Sequence, residues 1–163
     1  AVDGREGVLS ASSLRWSAVL HHDEHEHPYA GPFDGDNAVV NAPAPEELFA
    51  TKTSYLVIRA TATDSAGLST TKEFVVQPKK VIVTLHFSHE PNNGTFNVNG
   101  YAVKHDQQLV SWPGYVIRVT APTKKGMYRF THWGDSKSKD PSRTIVTPNS
   151  NSSFTAWYQW SLF

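Results

Sequence analysis

The sequence has no cysteine among its 163 residues, which excludes disulfide bonds and a thiol nucleophile. It also has no charge excess, because 15 Lys and Arg balance 15 Asp and Glu. Domains that bind nucleic acid usually carry a basic excess, so the composition argues against that class. No apolar run reaches the ~18 residues that a membrane-spanning helix needs, and we therefore expect no membrane span.

Helix signals are scarce as well, whereas short strand patterns recur along the chain. In the first half, Leu14–Leu20 alternates apolar and mixed residues, and Tyr55–Thr63 is rich in β-branched residues. The turn cluster Asp64–Gly67 leads into a second strand pattern, Thr70–Val76, which predicts a hairpin. Short strands at this spacing are typical of an all-β sandwich or barrel.

A new strand series begins after Pro78, where Lys79 and Lys80 predict a domain boundary. Val81–Phe87 alternates apolar and polar residues, and Asn99-Gly100 is the strongest short hairpin signal in the chain. We therefore predict two tandem β-sandwich domains of immunoglobulin-like type, residues 1–78 and 79–163. The predicted core residues are Trp16, Leu20, Leu56, Ile58, Ala60, Phe74 and Val76 in the first domain, and Val83, Leu85, Val98, Val119, Phe130 and Trp157 in the second.

A histidine cluster is the feature that points most directly to chemistry. Four of the eight histidines fall within seven positions, in the run His21-His22-Asp23-Glu24-His25-Glu26-His27 at the end of a strand pattern. Imidazole is the commonest protein ligand for metals, and alternate residues on a strand project to one side about 6.5–7 Å apart. The spacing predicts a structural metal site, with zinc or copper favoured over calcium by the neutral imidazoles.

The predicted ligands are His22, His25 and His27, with His21 as the alternative to His22, because neighbouring residues on a strand face opposite ways. Asp34 and Asp36 are additional oxygen ligands that the site could use. In the alternative interpretation, the histidines only cap strands and bond to the loop backbone.

Aromatic residues and sequons indicate two further kinds of site. Trp112, Tyr115 and Trp160 are candidates for stacking on carbohydrate, although aromatic residues in a small β-domain usually build its core. Asn93 and Asn151 begin N-glycosylation sequons, which fits a secreted protein.

The chain also carries motifs in a fixed order. The first half begins with the pattern D-x-x-x-G-x-L-x-x-S-x-L-x-W, which is formed by Asp3, Gly7, Leu9, Ser12, Leu14 and Trp16. The patterns L-H-H and H-x-H-P follow, in Leu20-His21-His22 and His25-Glu26-His27-Pro28. A second signature lies in Thr63–Ser69. With these motifs it resembles a bacterial immunoglobulin-like module of the polycystic-kidney-disease type. The second half resembles the small β-repeat that commonly follows that module, in Asn97-Val98-Asn99-Gly100, Tyr128, Phe130, Trp133 and Asp135.

The resemblance implies a place at the C-terminal end of a secreted quinoprotein sugar dehydrogenase of the glucose/sorbosone type. It also implies that the leading strands of the first module precede Ala1, so that the sheet edge beside Leu14–Leu20 would be exposed. Another polypeptide or an upstream fragment should then complete the first domain. The catalytic propeller of those enzymes is not in this chain, so the resemblance carries no catalytic activity over to it.

Two function classes follow. The first is a non-catalytic extracellular accessory module, part of a larger secreted protein, with a structural metal site and carbohydrate binding. The second is a structural or adhesive subunit completed by strands from another chain. A sugar dehydrogenase fragment without its catalytic domain ranks third.

Overall fold

The computed structural model describes residues 1–40, 47–89 and 94–162. Apart from two 3₁₀ turns, Ala11–Ser13 and Ala50–Lys52, the regular elements in this part of the chain are strands, which confirms the predicted all-β fold. The chain divides into two compact units. One comprises Ala1–Pro43 and Thr53–Pro78, and the other comprises Ala44–Lys52 and Lys79–Phe163.

The first unit contains one larger sheet and one small ribbon. Its strands are β1 (Val2–Asp3), β2 (Gly7–Val8), β3 (Leu14–His22), β4 (His25–Asp34), β5 (Tyr55–Thr63) and β6 (Ser69–Val76). The sheet has the antiparallel order β4-β3-β5-β6, while β1 and β2 pair only with each other. The hairpin predicted from Asp64–Gly67 is confirmed, because β5 and β6 pair from Thr63 with Ser69 to Leu56 with Val76.

The predicted open edge beside β3 is wrong. β3 pairs along its length with β5 on one side and with β4 on the other, so it is an interior strand. The segment that supplies the second neighbour is β4, which folds back directly through a turn at Asp23 and Glu24. The edges of this sheet are therefore β4 and β6.

One side of the sheet, here called the apolar face, carries alternate residues of its three long neighbouring strands. They are Leu14, Trp16, Ala18 and Leu20 of β3, Leu56, Ile58, Ala60 and Ala62 of β5, and Phe74 and Val76 of β6. Leu20 and Leu56 are buried as predicted. Phe74 and Val76 are 53% and 41% exposed, so their assignment to the core is wrong. Among its described residues the first unit has one large sheet besides the β1–β2 ribbon, so no second sheet covers them as in the second unit.

The second unit is a sandwich of two sheets. Its strands are β7 (Val81–Phe87), β8 (Thr95–Val98), β9 (Tyr101–Lys104), β10 (Gln108–Ser111), β11 (Val116–Thr120), β12 (Lys124–Lys125), β13 (Tyr128–Trp133), β14 (Ser142–Val146) and β15 (Ser152–Trp160). The sheets have the orders β10-β7-β15-β13-β12 and β14-β11-β8-β9. The Asn99-Gly100 hairpin is confirmed between β8 and β9, where both turn residues have positive φ.

The core of the second unit lies between these two sheets. Burial alternates along β7, where Val83 and Leu85 are fully buried, and continues through Val98 and Val119 as predicted. Phe130 is half-buried and packs against this core. Trp157 is 41% exposed, so its assignment to the core is wrong: it stands on the outer face of the five-stranded sheet, while its neighbours Ala156 and Tyr158 point inward.

Candidate metal centres

The β3–β4 turn brings three of the four clustered histidines to one face of the hairpin. Asp23 takes a positive φ of 49°, and its carboxylate accepts a hydrogen bond from the Thr53 hydroxyl at 2.9 Å. Across the strands His22 is paired with His25, and the next pair on the same face includes His27. A tight turn of two residues thus places side chains together that are several positions apart in sequence.

Two of these imidazoles meet through their Nε2 atoms. The distance between Nε2 of His22 and Nε2 of His27 is 3.1 Å, and the ring planes differ by only 5°. Two nitrogens bound tetrahedrally to one ion at about 2.0–2.1 Å would be about 3.4 Å apart, so this spacing is close to that of a shared metal. The His22 side chain is only 12% exposed, which would shield such an ion from water.

The remaining residues predicted for this site are placed less closely. His25 is exposed, and its ring centroid lies 6.0 Å from that of His22. His21 points to the opposite side of the sheet and stacks on Tyr55 at 4.5 Å.

The two additional carboxylates are not brought to the histidines. Asp34 ends β4 and lies opposite Arg15, whereas His25 begins the same strand, so they occupy opposite ends of the hairpin. Asp34 contacts Arg15 at 3.7 Å, and Asp36 accepts a hydrogen bond from Asn37. Asp34 and Asp36 therefore do not supply ligands to the histidine cluster in this conformation.

A second cluster, which sequence analysis missed, lies in the other unit. Among the described residues, His86, His105 and Asp106 are the group whose three potential ligand atoms all lie within 4.8 Å of one another, and such a group could hold a metal ion. Nδ1 of His86 contacts one oxygen of Asp106, and Nε2 of His105 lies 3.0 Å from the other. We call this group the second cluster.

The local sequence gives little signal for the second cluster. His86 occupies an outward position in β7, while His105 and Asp106 form the turn that follows β9. Asp106 reaches β7 because its backbone N–H donates to the carbonyl of Leu85 at 3.0 Å. The contact spans 20 positions and depends on the pairing of β10 with β7, which no short motif specifies.

The three residues predicted to bind carbohydrate differ in their exposure. Trp112 is 3% exposed and donates its Nε1–H to the carbonyl of Thr51, so it cannot present a ring face to a sugar and its prediction is wrong. Tyr115 is half-buried, accepts a hydrogen bond from Asn99, and has its pKa raised mainly by burial. Trp160 is 53% exposed.

Of the two predicted glycosylation sites, Asn93 lies outside the described residues. Asn151 is exposed, and its side-chain oxygen accepts a hydrogen bond from the backbone N–H of Ile82 at 2.9 Å. Glycosylation itself stays a prediction.

No protein-family model matches the chain, and comparisons with curated proteins and with solved structures also return no match. Within the described residues, no helix has both the length and the apolar character to cross a membrane.

Proposed function

We propose that this chain is a non-catalytic extracellular accessory module whose β3–β4 hairpin binds a divalent metal ion. His22 and His27 are the first ligands, and His25 swings in from its exposed position as the third. The supporting observation is the 3.1 Å approach of the two Nε2 atoms on one face of the hairpin. Imidazole ligands favour zinc or copper, and the ion would take the place of the proton that the two nitrogens share.

The role of this metal is structural. Both nitrogens belong to neighbouring strands joined by a short turn, so an ion bound to them ties the start of β4 to the end of β3. Metal that binds only the folded chain stabilises it by about 2.7 kcal/mol when free metal is 100 times Kd. Acid that protonates both imidazoles should abolish the effect, because protonated imidazoles do not bind metal.

The experiment measures bound zinc and copper by elemental analysis and compares melting curves with and without a chelator. His22→Gln and His27→Gln should each lower the metal content and abolish the effect of the chelator. His21→Gln is the matched control, because His21 belongs to the same hairpin but faces the other way. Full metal content in the His22→Gln/His27→Gln double variant would refute the proposal.

The accessory role and the extracellular location draw on the resemblance to the immunoglobulin-like module. Carbohydrate binding has less support, since Trp112 is buried and only Trp160 among the three predicted residues is largely exposed. Mass spectrometry of the protein recovered from the culture medium and from the cells, with a search for glycans on Asn151, tests the location.

A second candidate function, a structural subunit completed by another chain, is favoured by the apolar face of the first unit. A groove of about 540 Å³ lies over this face and is lined by Leu14, Trp16, Ala60 and Phe74 together with Val2 and Leu9. Glu73 on the edge strand β6 disfavours pairing at that edge, so a partner would pack on the face, where Lys72 is a charged residue at the groove.

Analytical ultracentrifugation over a range of concentrations tests association between copies of the chain. Association should be lost in Phe74→Ser, whereas Thr71→Ser, on the opposite side of β6, should retain it. A single mass corresponding to the monomer at every concentration would exclude this form of the second candidate.

A further inference from the structure

One residue of the second cluster, His105, accepts a hydrogen bond from a backbone N–H that has no acceptor on the neighbouring strand. β10 pairs with β7 only from Val81 to Thr84, so the N–H of Phe87 lies beyond the end of that ladder. This N–H donates instead to Nδ1 of His105 at 3.0 Å. Buried amides that leave a ladder generally need such a substitute acceptor.

This hydrogen bond determines which nitrogen of His105 carries the proton. Because Nδ1 accepts the amide of Phe87, it presents a lone pair, and in the neutral imidazole the proton then lies on Nε2. Nε2 and its proton lie beside one oxygen of Asp106, at an N–O distance of 3.0 Å. If His105 bound a metal through Nε2, its Nδ1 would have to carry the proton and would face the amide donor of Phe87. His105 therefore presents a protonated Nε2 to the Asp106 carboxylate and is not a metal ligand.

The same reasoning extends to His86. The other oxygen of Asp106 contacts Nδ1 of His86, and a carboxylate can only accept, so the proton of the neutral His86 lies on Nδ1. Its Nε2 then presents a lone pair. Within the described part of the chain Nε2 of His86 has no hydrogen-bond partner, and the side chain is 35% exposed. A carboxylate on one imidazole nitrogen and an open lone pair on the other is the arrangement of many metal-ligating histidines.

We propose that His86 binds a divalent transition-metal ion through its Nε2. Asp106 contacts the other ring nitrogen of His86 and fixes the proton on that Nδ1, and His105 lies on the far side of Asp106. Cu²⁺ should bind more tightly than Ni²⁺ or Zn²⁺, following the usual order for nitrogen ligands. Water or a group from another molecule fills the remaining positions on the ion. This site lies in the second unit and is independent of the hairpin site in the first.

The first test is the position of the proton on each metal-free neutral imidazole, measured by nitrogen-15 NMR of the full chain at alkaline pH. We expect His86 to carry its proton on Nδ1 and His105 on Nε2. A proton on Nε2 of His86 would overturn the proposal, because that nitrogen could not then be the ligand.

The second test is a titration with Cu²⁺ in the background of His22→Gln/His27→Gln, so that failure of the hairpin site does not affect the result. Paramagnetic broadening should centre on the His86 ring, and His86→Gln should abolish it. If His86→Gln does not fold, His86→Thr replaces it, since Thr84 and Thr155 already occupy neighbouring outward positions. His132→Gln, on β13 of the same sheet and two strands away from β7, is the matched control and should leave binding unchanged.

Variants of Asp106 and His105 distinguish a single ligand from a site with three ligands. Asp106→Asn should weaken Cu²⁺ binding about 10–100-fold, the usual effect of losing such a carboxylate. His105→Gln should weaken binding by less than Asp106→Asn, because His86 remains the ligand. Complete loss of binding in His105→Gln, with the fold intact by NMR, would mean that all three side chains are ligands and would overturn the proposal. Binding that survives in both His86 variants would overturn it as well.

Discussion

Replacing Trp133 by Phe should destabilise the second unit far more than the same change at Trp157. Trp133 is fully buried, its Nε1–H donates to the carbonyl of Asp140 at 3.1 Å, and the Arg143 guanidinium lies 5.0 Å from its ring. Trp157 is 41% exposed and stacks on His132 on the outer face of the sheet. The two tryptophans share chemistry and differ in burial, so the pair isolates the effect of the core.

The expected decrease in the free energy of unfolding for Trp133→Phe is the sum of three contributions. The smaller ring leaves a cavity of about 40 Å³, which at about 24 cal/mol per Å³ amounts to about 1 kcal/mol. Loss of the hydrogen bond to the exposed Asp140 removes about 1 kcal/mol, and the weaker interaction with the guanidinium removes about 0.5 kcal/mol. The sum is about 2.5 kcal/mol, which lowers Tm by about 10–20 °C in a domain of this size.

Urea and thermal unfolding followed by circular dichroism measure both variants, and amide exchange at Val119 reports on the second unit specifically. Trp157→Phe should change the free energy of unfolding by no more than about 0.5 kcal/mol, as is usual at the surface. Equal losses in the two variants would refute the assignment of the core to Trp133.

Two further predictions concern charge and backbone conformation in the second unit. Asp135 makes two hydrogen bonds with Arg143, at 2.5 and 2.8 Å, which hold the pKa of that carboxyl below its usual value. The ionised Asp135 carboxylate should contribute fully to stability above the ordinary carboxyl pKa of about 3.9. That contribution should be lost as the pH falls through the lower pKa of the folded state. Asp135→Asn should therefore destabilise the chain at pH 7 by less than about 1 kcal/mol, because the carboxylate is partly screened by water, and urea unfolding at a series of pH values should show the difference vanishing in strong acid. Asn99→Ala should lower the free energy of unfolding by about 2–3 kcal/mol, because Asn99 has a φ of 50° and forms hydrogen bonds with both Tyr115 and the N–H of Arg118. Asn99→Gly should lower it by less in the same urea assay, because glycine tolerates the positive φ.

Local structure could be predicted from the sequence wherever neighbouring residues determine it. The turns at Asn99-Gly100 and Asp64–Gly67 require residues with positive φ or a side-chain acceptor for a backbone N–H. Asn, Asp and Gly are the residue types that meet these requirements, so the sequence predicts both turns. The alternation in Val81–Phe87 likewise predicted its buried and outward faces. These features depend on contacts a few positions apart.

Which face is covered could not be predicted in the same way. Alternation separates the two sides of a strand but does not say whether another sheet packs on either side. Phe74 alternates correctly on β6 and is still exposed, because the described part of the first unit has no second large sheet to cover it. Trp157 and Tyr158 are adjacent and both aromatic, so only the pairing of β15 with β7 and β13 decides that Tyr158 faces the core.

The two histidine clusters show the same division between local and distant information. His22 and His27 meet because a two-residue turn joins their strands, and the density of histidine in seven positions was enough to locate them. His86 and His105 meet because β10 stops pairing with β7 before Phe87, leaving an amide that a side chain from the next turn must satisfy. This amide makes Nδ1 of His105 an acceptor, whereas the Asp106 carboxylate makes Nδ1 of His86 a donor. Histidine content can therefore locate candidate ligands, but the hydrogen bond on the other ring nitrogen decides which of them can bind a metal.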